Sequence, residues 1–302
     1  MLLEQAARTA ICAVIAVLLA GGGGDGCRAA TSAPVHVLTW NVHGIPFTGA
    51  GKRLPRIACV VEERRPDFVA FEEVWTRGEE STLRRALEPL GYATYRYTHG
   101  LLRYGGLLLF WDTSKGWSVG DAAFTRYLRA APWWHLNEFD GLGHKGFLAG
   151  NARNVDGRAF RIVVTHLQSQ YPEHGPMHTY DAIRLAQVQQ LAATVGSGRG
   201  RLIVAGDFNT MPNDPSGAYR WLRAQGWSDA TEDFRWRCEA AAVMPCGTNF
   251  DNKTRRLTDD WIDYIFIRGL IGPQETELLR NVRADDPWSD HEGVLSRLIA
   301  SP

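Results

Sequence analysis

The chain lacks a surplus of either charge: Lys plus Arg and Asp plus Glu number 33 each across 302 residues. A dedicated nucleic-acid binder carries a basic balance, so neutrality counts against that class, although a local basic groove fits inside a neutral total. Basic runs are short, with only Glu63-Arg64-Arg65 and Lys253-Thr254-Arg255-Arg256 standing out, and both read as solvated faces or loops. Cysteine is scarce too. Of five, Cys12 lies in an apolar leader, Cys27 soon after it and Cys59 on an apolar helical pattern, which leaves Cys238 and Cys246 as near neighbours in a loop. With no second Cys or His pair their spacing is a poor zinc signature, and in an exported chain it favours a disulfide staple. No internal repeat is visible, and after the first residues no apolar run is long enough to cross a membrane.

What the chain does have begins at its start. Arg8 precedes the apolar stretch from Ile11 to Ala20, followed by Gly21 to Gly24 and small or polar residues. That pattern reads as an export signal, because a membrane span needs about 20 apolar residues. Cys27 follows Gly26 and offers a lipid-anchored mature terminus, though no Leu stands at the third position before it. The expectation is a signal peptide or lipoprotein-type leader over 1–30 and a single catalytic domain over 31–302, secreted or periplasmic, or tethered through Cys27. At 45% hydrophobic content that length buries a sizeable core without dividing.

Val35 to Trp40 alternates and predicts a strand ending at Asn41. A helix over Leu54 to Arg65 stops before Pro66, and Asp67 to Phe71 predicts a strand ending in Glu72-Glu73. Ser81 is placed to cap a helix running to about Leu90. Gly106 to Trp111, Gly146 to Ala149 and Phe160 to Val164 read as strands joined by turns such as Asp156-Gly157. Tyr180 to Thr194 is an amphipathic helix with Val188, Leu191, Ala192 and Val195 on one face and Gly196 as its stop. Leu202 to Ala205 then runs as a strand into Gly206-Asp207-Phe208-Asn209. A short helix from about Ser216 to Ala224, the cysteine loop, a strand at Trp261 to Ile267 and a last strand from Gly293 complete the order. Strands with helices in each half suggest two packed sheets flanked by helices.

The polar residues at strand ends are Asn41, Glu73, His166, Asp207 and Asn209, Asp263, and Asp290-His291. Each alone is ordinary turn chemistry. Together they supply hard oxygen ligands, two imidazoles, an amide donor and a carboxylate to orient a histidine, an inventory for metal-assisted phosphodiester hydrolysis. Thr39-Trp40-Asn41-Val42-His43, Phe71-Glu72-Glu73-Val74, Thr165-His166-Leu167, Gly206-Asp207-Phe208-Asn209, Asp263-Tyr264-Ile265-Phe266 and Ser289-Asp290-His291 resemble, in order, the motifs of the endonuclease/exonuclease/phosphatase superfamily.

The resemblance implies a DNase I-like α/β fold, a four-layer sandwich of two mixed β-sheets flanked by helices, with Mg²⁺, or Mn²⁺ or another divalent cation, at one rim. It implies that Asn41 and Glu73 hold the metal with Asp290 nearby, and that Asp207 and Asn209 manage the attacking water and the phosphate oxygens. His291, oriented by Asp263, serves as a base or binds the phosphate; His166 contacts the phosphate or protonates the leaving oxygen. Whether Asp207 or His291 removes the water proton stays open at this level. The family commonly shows Gln-Glu-Val where this chain has Glu72-Glu73-Val74; strand neighbours face opposite ways, so Glu73 can remain the ligand while Glu72 does something else, and the resemblance assigns Glu73 by its position before Val74.

His144-Lys145-Gly146-Phe147 followed by Thr165-His166-Leu167-Gln168-Ser169 looks like the neutral and bacterial sphingomyelinase branch. Lys145 is accordingly a substrate-binding candidate. So are Trp133 and Trp134, either at a lipid interface or against a quaternary ammonium, the competing reading being that both fill the core. The expectation is an exported phosphodiesterase acting on a phospholipid at a membrane surface, best guess sphingomyelin to ceramide and phosphocholine, with no obligate protein partner. The alternatives are a secreted deoxyribonuclease-type endonuclease, an inositol-phosphate phosphatase and, least favoured, a non-catalytic binding module.

Overall fold

The structure is a computed structural model that describes residues 33–44, 49–95, 104–131, 144–170, 180–196, 200–241, 245–251, 256–269, 271–279 and 288–300. The leader with Cys27, and Trp133 and Trp134, lie outside the described residues.

Two six-stranded sheets carry the fold. The first runs in the order β11 (Ile271–Leu279), β12 (Gly293–Ala300), β1 (Val35–Asn41), β2 (Phe68–Glu72), β4 (Leu108–Asp112), β3 (Tyr92–Thr94). The second runs β5 (Trp117–Arg126), β6 (Gly146–Asn154), β7 (Ala159–His166), β8 (Leu202–Asp207), β10 (Asp263–Arg268), β9 (Ser228–Asp229). Each sheet is mixed, with a single parallel pair at its centre: β1 with β2, and β7 with β8. A parallel pair needs a crossover, and α1 (Ala50–Arg64) and α3 (Asp181–Val195) supply it. The functional strand ends of each sheet therefore point the same way.

Alternation decides which side chains meet. Along β1 and β2, Val35, Val37, Phe68 and Ala70 face the second sheet and join a core with Ile162, Val164, Ile203, Ala205 and Ile265. Leu38, Trp40, Val69 and Phe71 face outward and are covered by Leu54, Ile57 and Val61 of α1 and Leu83 and Leu87 of α2 (Arg77–Leu87). Val188, Leu191, Ala192 and Val195 of α3 close the far face of the second sheet, as their spacing predicts. The layers are helix, sheet, sheet, helix.

Several local expectations need correction. The cap of α2 is Thr76, not Ser81: its side chain takes the Glu79 N–H while Glu79 returns a bond to the Thr76 N–H. That reciprocal capping box satisfies two otherwise orphaned donors and starts the helix a turn early. Cys238 lies on a helix, α5 (Glu232–Ala241), and not in a loop, although it does pair with Cys246 in a disulfide. The short helix α4 spans Ala218–Ala224. Strands β3, β5 and β11 have no counterpart in the sequence reading. Each is the outer strand of its sheet, β5 is largely polar or exposed, and β11 carries Pro273 with an irregular register beside it. Edge strands have one face and one ladder side in water, which erases the hydrophobic signal.

Candidate active site

Three candidate residues stand in direct register on adjacent strands: His166 at the end of β7 opposite Asp207 at the end of β8, and Asp207 opposite Asp263 at the start of β10. In the facing sheet Asn41 ends β1 opposite Glu72, which ends β2. Glycine makes the first of these alignments attainable. A Cβ on Gly206 would lie 1.9 Å from the Thr165 carbonyl oxygen, so only glycine lets β8 come this close to β7 immediately before Asp207.

Beyond the strand ends the chain turns sharply, and polar side chains hold the turns. Asn41 Oδ1 accepts from the His43 N–H at 3.0 Å, and Asp207 Oδ1 accepts from the Asn209 N–H at 2.8 Å. His43, Asn209 and Glu73 all adopt left-handed backbone, with φ of 49°, 47° and 59°. Such conformations cost about 1–3 kcal/mol each and persist where surrounding bonds impose them.

Asp207 is the hub. Its Oδ2 accepts from Asn41 Nδ2 at 3.1 Å and lies 3.3 Å from His166 Nε2 and 3.8 Å from His291 Nε2. Burial opposes its ionisation, but the positive charge carried by the hydrogen-bonded His166–Lys145 pair, together with His291, outweighs that and holds its carboxyl far below the usual range. His291 Nδ1 is 2.8 Å from Asp263 Oδ2. Burial works against a charged His291, yet Asp263, Asp207 and Asp290 together raise the imidazole well above its ordinary value. Burial, opposed by His291 and reinforced by Asp207, raises Asp263 in turn. The two residues thus hold a proton as a unit, and His291 faces Asp207 as a cation near neutrality.

Asn41 Nδ2 also donates to Glu73 Oε1 at 3.0 Å, which gathers Glu73 and Asp207 on one amide. Glu73 Oε2 is buried and has no hydrogen-bond partner. Glu72 Oε2 and Asp263 Oδ1 are buried without a partner as well; what marks Glu73 is its bond to Asn41, and with the second lone pair of Asn41 Oδ1 and with Asp290 it makes a hard-oxygen donor set of the kind Mg²⁺ takes. Asp290 is held by His43, whose Nδ1 is 2.7 Å from Asp290 Oδ2. A second group, Asp207, Asp263 and His291, brings its ligand atoms within 4.8 Å of one another. The direct bond between Asp263 and His291 makes that cluster a proton-sharing site first.

Glu72 occupies a different place from Glu73. It points between the sheets, fully buried, with Oε1 accepting from Thr39 Oγ1 at 2.8 Å. Burial, and then Asp263 and Asp207 nearby, push its carboxyl well above the usual range, so it sits neutral beneath the site. β2 ends at Glu72 and Glu73 has left-handed backbone, so the turn after the strand sends the two neighbours apart.

Lys145 joins this group from the mouth of β6, fully buried, its Nζ 2.7 Å from His166 Nε2. Gly146 after it packs so close to β5 that a Cβ would meet the Thr125 carbonyl oxygen at 2.4 Å. The Lys-Gly pair is thus a backbone requirement joined to a buried cation.

The sequence reading gave no role to His43, Arg53, Thr248 or Ser289. Arg53 donates to the carbonyls of Val42, His43 and Trp288, tying together the two loops that carry Asn41 and Asp290. Ser289 Oγ donates to the Asn41 carbonyl. Thr248 Oγ1 accepts from the Ile262 and Asp263 N–H groups. His43 and Ser289 stood inside the resembling motifs; Arg53 and Thr248 act on backbone groups, which leaves no trace in residue patterns.

A cavity of about 510 Å³ lies along the segments leaving β8 and entering β10, lined by Met211, Trp236, Glu239, Asp259, Asp260 and Trp261 among others.

No curated protein sequence matches the chain. Solved structures do match in fold. D. rerio TDP2 complexed with a single-strand DNA product has a TM-score of 0.65 at 15% identity, covering 88% of this chain and 99% of that one. An endonuclease/exonuclease/phosphatase from Bacteroides vulgatus gives 0.66 at 18%, covering 89% and 100%. The human Nocturnin catalytic domain with bound sulfate gives 0.62 at 20%, covering 88% and 94%. The model of the Endonuclease/Exonuclease/phosphatase family matches residues 38–291, the span that carries every strand end described above. The chain belongs to the endonuclease/exonuclease/phosphatase family, whose members are hydrolases of phosphoester bonds.

Proposed function

We propose that the chain is an exported, Mg²⁺-dependent phosphodiesterase that cleaves the headgroup ester of a phospholipid, with sphingomyelin as substrate and ceramide and phosphocholine as products. The observation that carries the phosphodiesterase reading is the convergence of Asn41, His166 and His291 on Asp207 Oδ2. Glu73, with Asn41 and Asp290, would hold the divalent cation, which polarises a phosphoryl oxygen when bound. Asp207 turns Oδ1 to the Asn209 amide and Oδ2 to the side where Asn41, His166 and His291 meet; there it orients the attacking water and takes its proton as the water oxygen bonds phosphorus and the ester bond breaks, and the lipid oxygen leaves as a hydroxyl with that proton. His291, kept protonated by Asp263, donates to the phosphoryl oxygens as negative charge grows on them.

Two observations support a choline lipid. Lys145 and Gly146, the pair resembling the sphingomyelinase branch, place a buried cation against His166. The cavity beside β8 and β10 is lined by Glu232, Glu239, Asp259 and Asp260 against the single cation Arg235, which covers Trp261, and carries the exposed Trp236, a net acidic lining that favours a cationic head group. The apolar stretch before Gly21 supports export.

A nuclease is the second reading, favoured by the DNA product held in the D. rerio structure and disfavoured by the neutral charge. The test is one assay of the mature protein, with Mg²⁺ or chelator, on sphingomyelin vesicles, plasmid DNA and inositol phosphates, with Asp207→Asn as control. Ceramide release that needs Mg²⁺ and falls roughly 10²- to 10⁴-fold in the variant is expected. Faster cleavage of DNA or of inositol phosphates overturns the lipid assignment.

A further inference from the structure

We infer that Lys145 is a positioning residue that fixes the tautomer of His166, leaving the imidazole proton on Nδ1 and a lone pair on Nε2.

A lysine ammonium has three donors and no acceptor, so a 2.7 Å contact between Lys145 Nζ and His166 Nε2 requires a lone pair on that nitrogen. The same Nε2 lies 3.3 Å from Asp207 Oδ2, an acceptor that would otherwise draw an Nε2–H toward itself. One nitrogen cannot accept from Lys145 and donate to Asp207 together. The shorter contact belongs to Lys145.

His166 Nδ1 offers no counterweight, for it is buried without a hydrogen-bond partner. Leaving a buried N–H unpaired costs about 1–3 kcal/mol. Without Lys145 the imidazole would therefore turn its proton to Nε2 and Asp207. Lys145 overrides that preference because its own position is imposed by backbone. His144 before it has φ of 49°, the Lys145 carbonyl accepts from the Tyr127 N–H at 2.9 Å, and Gly146 pairs with His166 across the β6–β7 ladder. Both side chains are wholly excluded from solvent, so water does not substitute for either.

The consequence for the reaction is specific. His166 Nε2 faces the site as an acceptor, with Lys145 Nζ as its donor.

The experiment is a ¹⁵N–¹H correlation spectrum of protein labelled at histidine, with His166→Asn identifying the His166 signals. The expected spectrum shows a protonated Nδ1 and an unprotonated Nε2. In Lys145→Met the proton should move to Nε2, with kcat down roughly 100-fold, KM within about threefold of the parent and the acidic limb of the kcat profile displaced. Lys145→Arg, which keeps a donor, should restore the tautomer and part of kcat. An Nε2–H or doubly protonated ring in the unsubstituted protein overturns the inference, and that spectrum needs no variant to fold. So does a tautomer unchanged in Lys145→Met, or a raised KM with kcat intact, which would make Lys145 a substrate contact. The inference rests on the reading of this site as a phosphodiesterase centre, but the two fail separately. An inactive protein leaves the spectrum legible, and an active one with the wrong tautomer leaves the hydrolase standing.

Discussion

At the scale of the residue, Glu72 shows how position within one dipeptide divides function. Glu73 keeps a buried oxygen free for a cation, whereas Glu72, a peptide bond away, is sealed between the sheets and neutral. Folding therefore takes up a proton at Glu72. An unfolded chain loses that proton above the usual glutamate range, while the folded one retains it, so stability falls as pH rises through the interval between the two values. Glu72→Gln should remove this loss: in chelator, its melting temperature should exceed the parent's at pH 8 and match it near pH 4. Equal shifts at both pH values would show that Glu72 is not neutral in the fold. The resemblance gave Glu73 its place by its position before Val74. It gave no charge state to Glu72, since that depends on Asp263 and Asp207 arriving from the other sheet.

At the scale of the element, the site rests on a repeated device: a strand runs in buried, ends in Asn or Asp, and that side chain takes the backbone N–H two residues on. Asn41 with His43 and Asp207 with Asn209 are the two catalytic instances, and Asp229 with Thr231 repeats it away from the site. Such turns are legible from residue type, which is why most strand ends of the site were found by sequence. The approach of β8 to β7 was not, because it depends on a missing atom. Gly206→Ala would force a methyl against the Thr165 carbonyl and part the strands just where His166 and Asp207 align. A loss of roughly 1–3 kcal/mol or more in chemical denaturation is expected, together with a fall in kcat. Unchanged stability would mean that the strands separate without strain. The outer strands β5 and β11 and the start of α2 escaped the sequence for their own reasons: half-solvated strands lack a hydrophobic period, and Ser81, further along the helix, offers a competing cap to the Thr76–Glu79 box.

At the scale of the whole molecule, the disulfide reaches further than a loop staple. Cys246 leads into Thr248 and Asn249, and this short segment supports Asp263 through Thr248 Oγ1, pairs Asn249 with His291 and takes the Glu292 N–H on the Thr248 carbonyl. Closing so small a ring stabilises by about 2–3 kcal/mol on the chain-entropy account. Reductant should lower the melting temperature and also reduce kcat, since the support of the Asp263–His291 pair loosens. Loss of stability with kcat untouched would confine the bridge to α5. The first sheet is also completed late: β1 to β4 come from the first part of the chain, yet β12, which lies between β11 and β1, comes last. Until it is synthesised β1 has one bare edge, and the site lacks Asp290 and His291 just upstream. A growing chain on the ribosome therefore displays its second sheet whole while remaining chemically silent, and a prematurely terminated product would be an inert molecule with an adhesive flank.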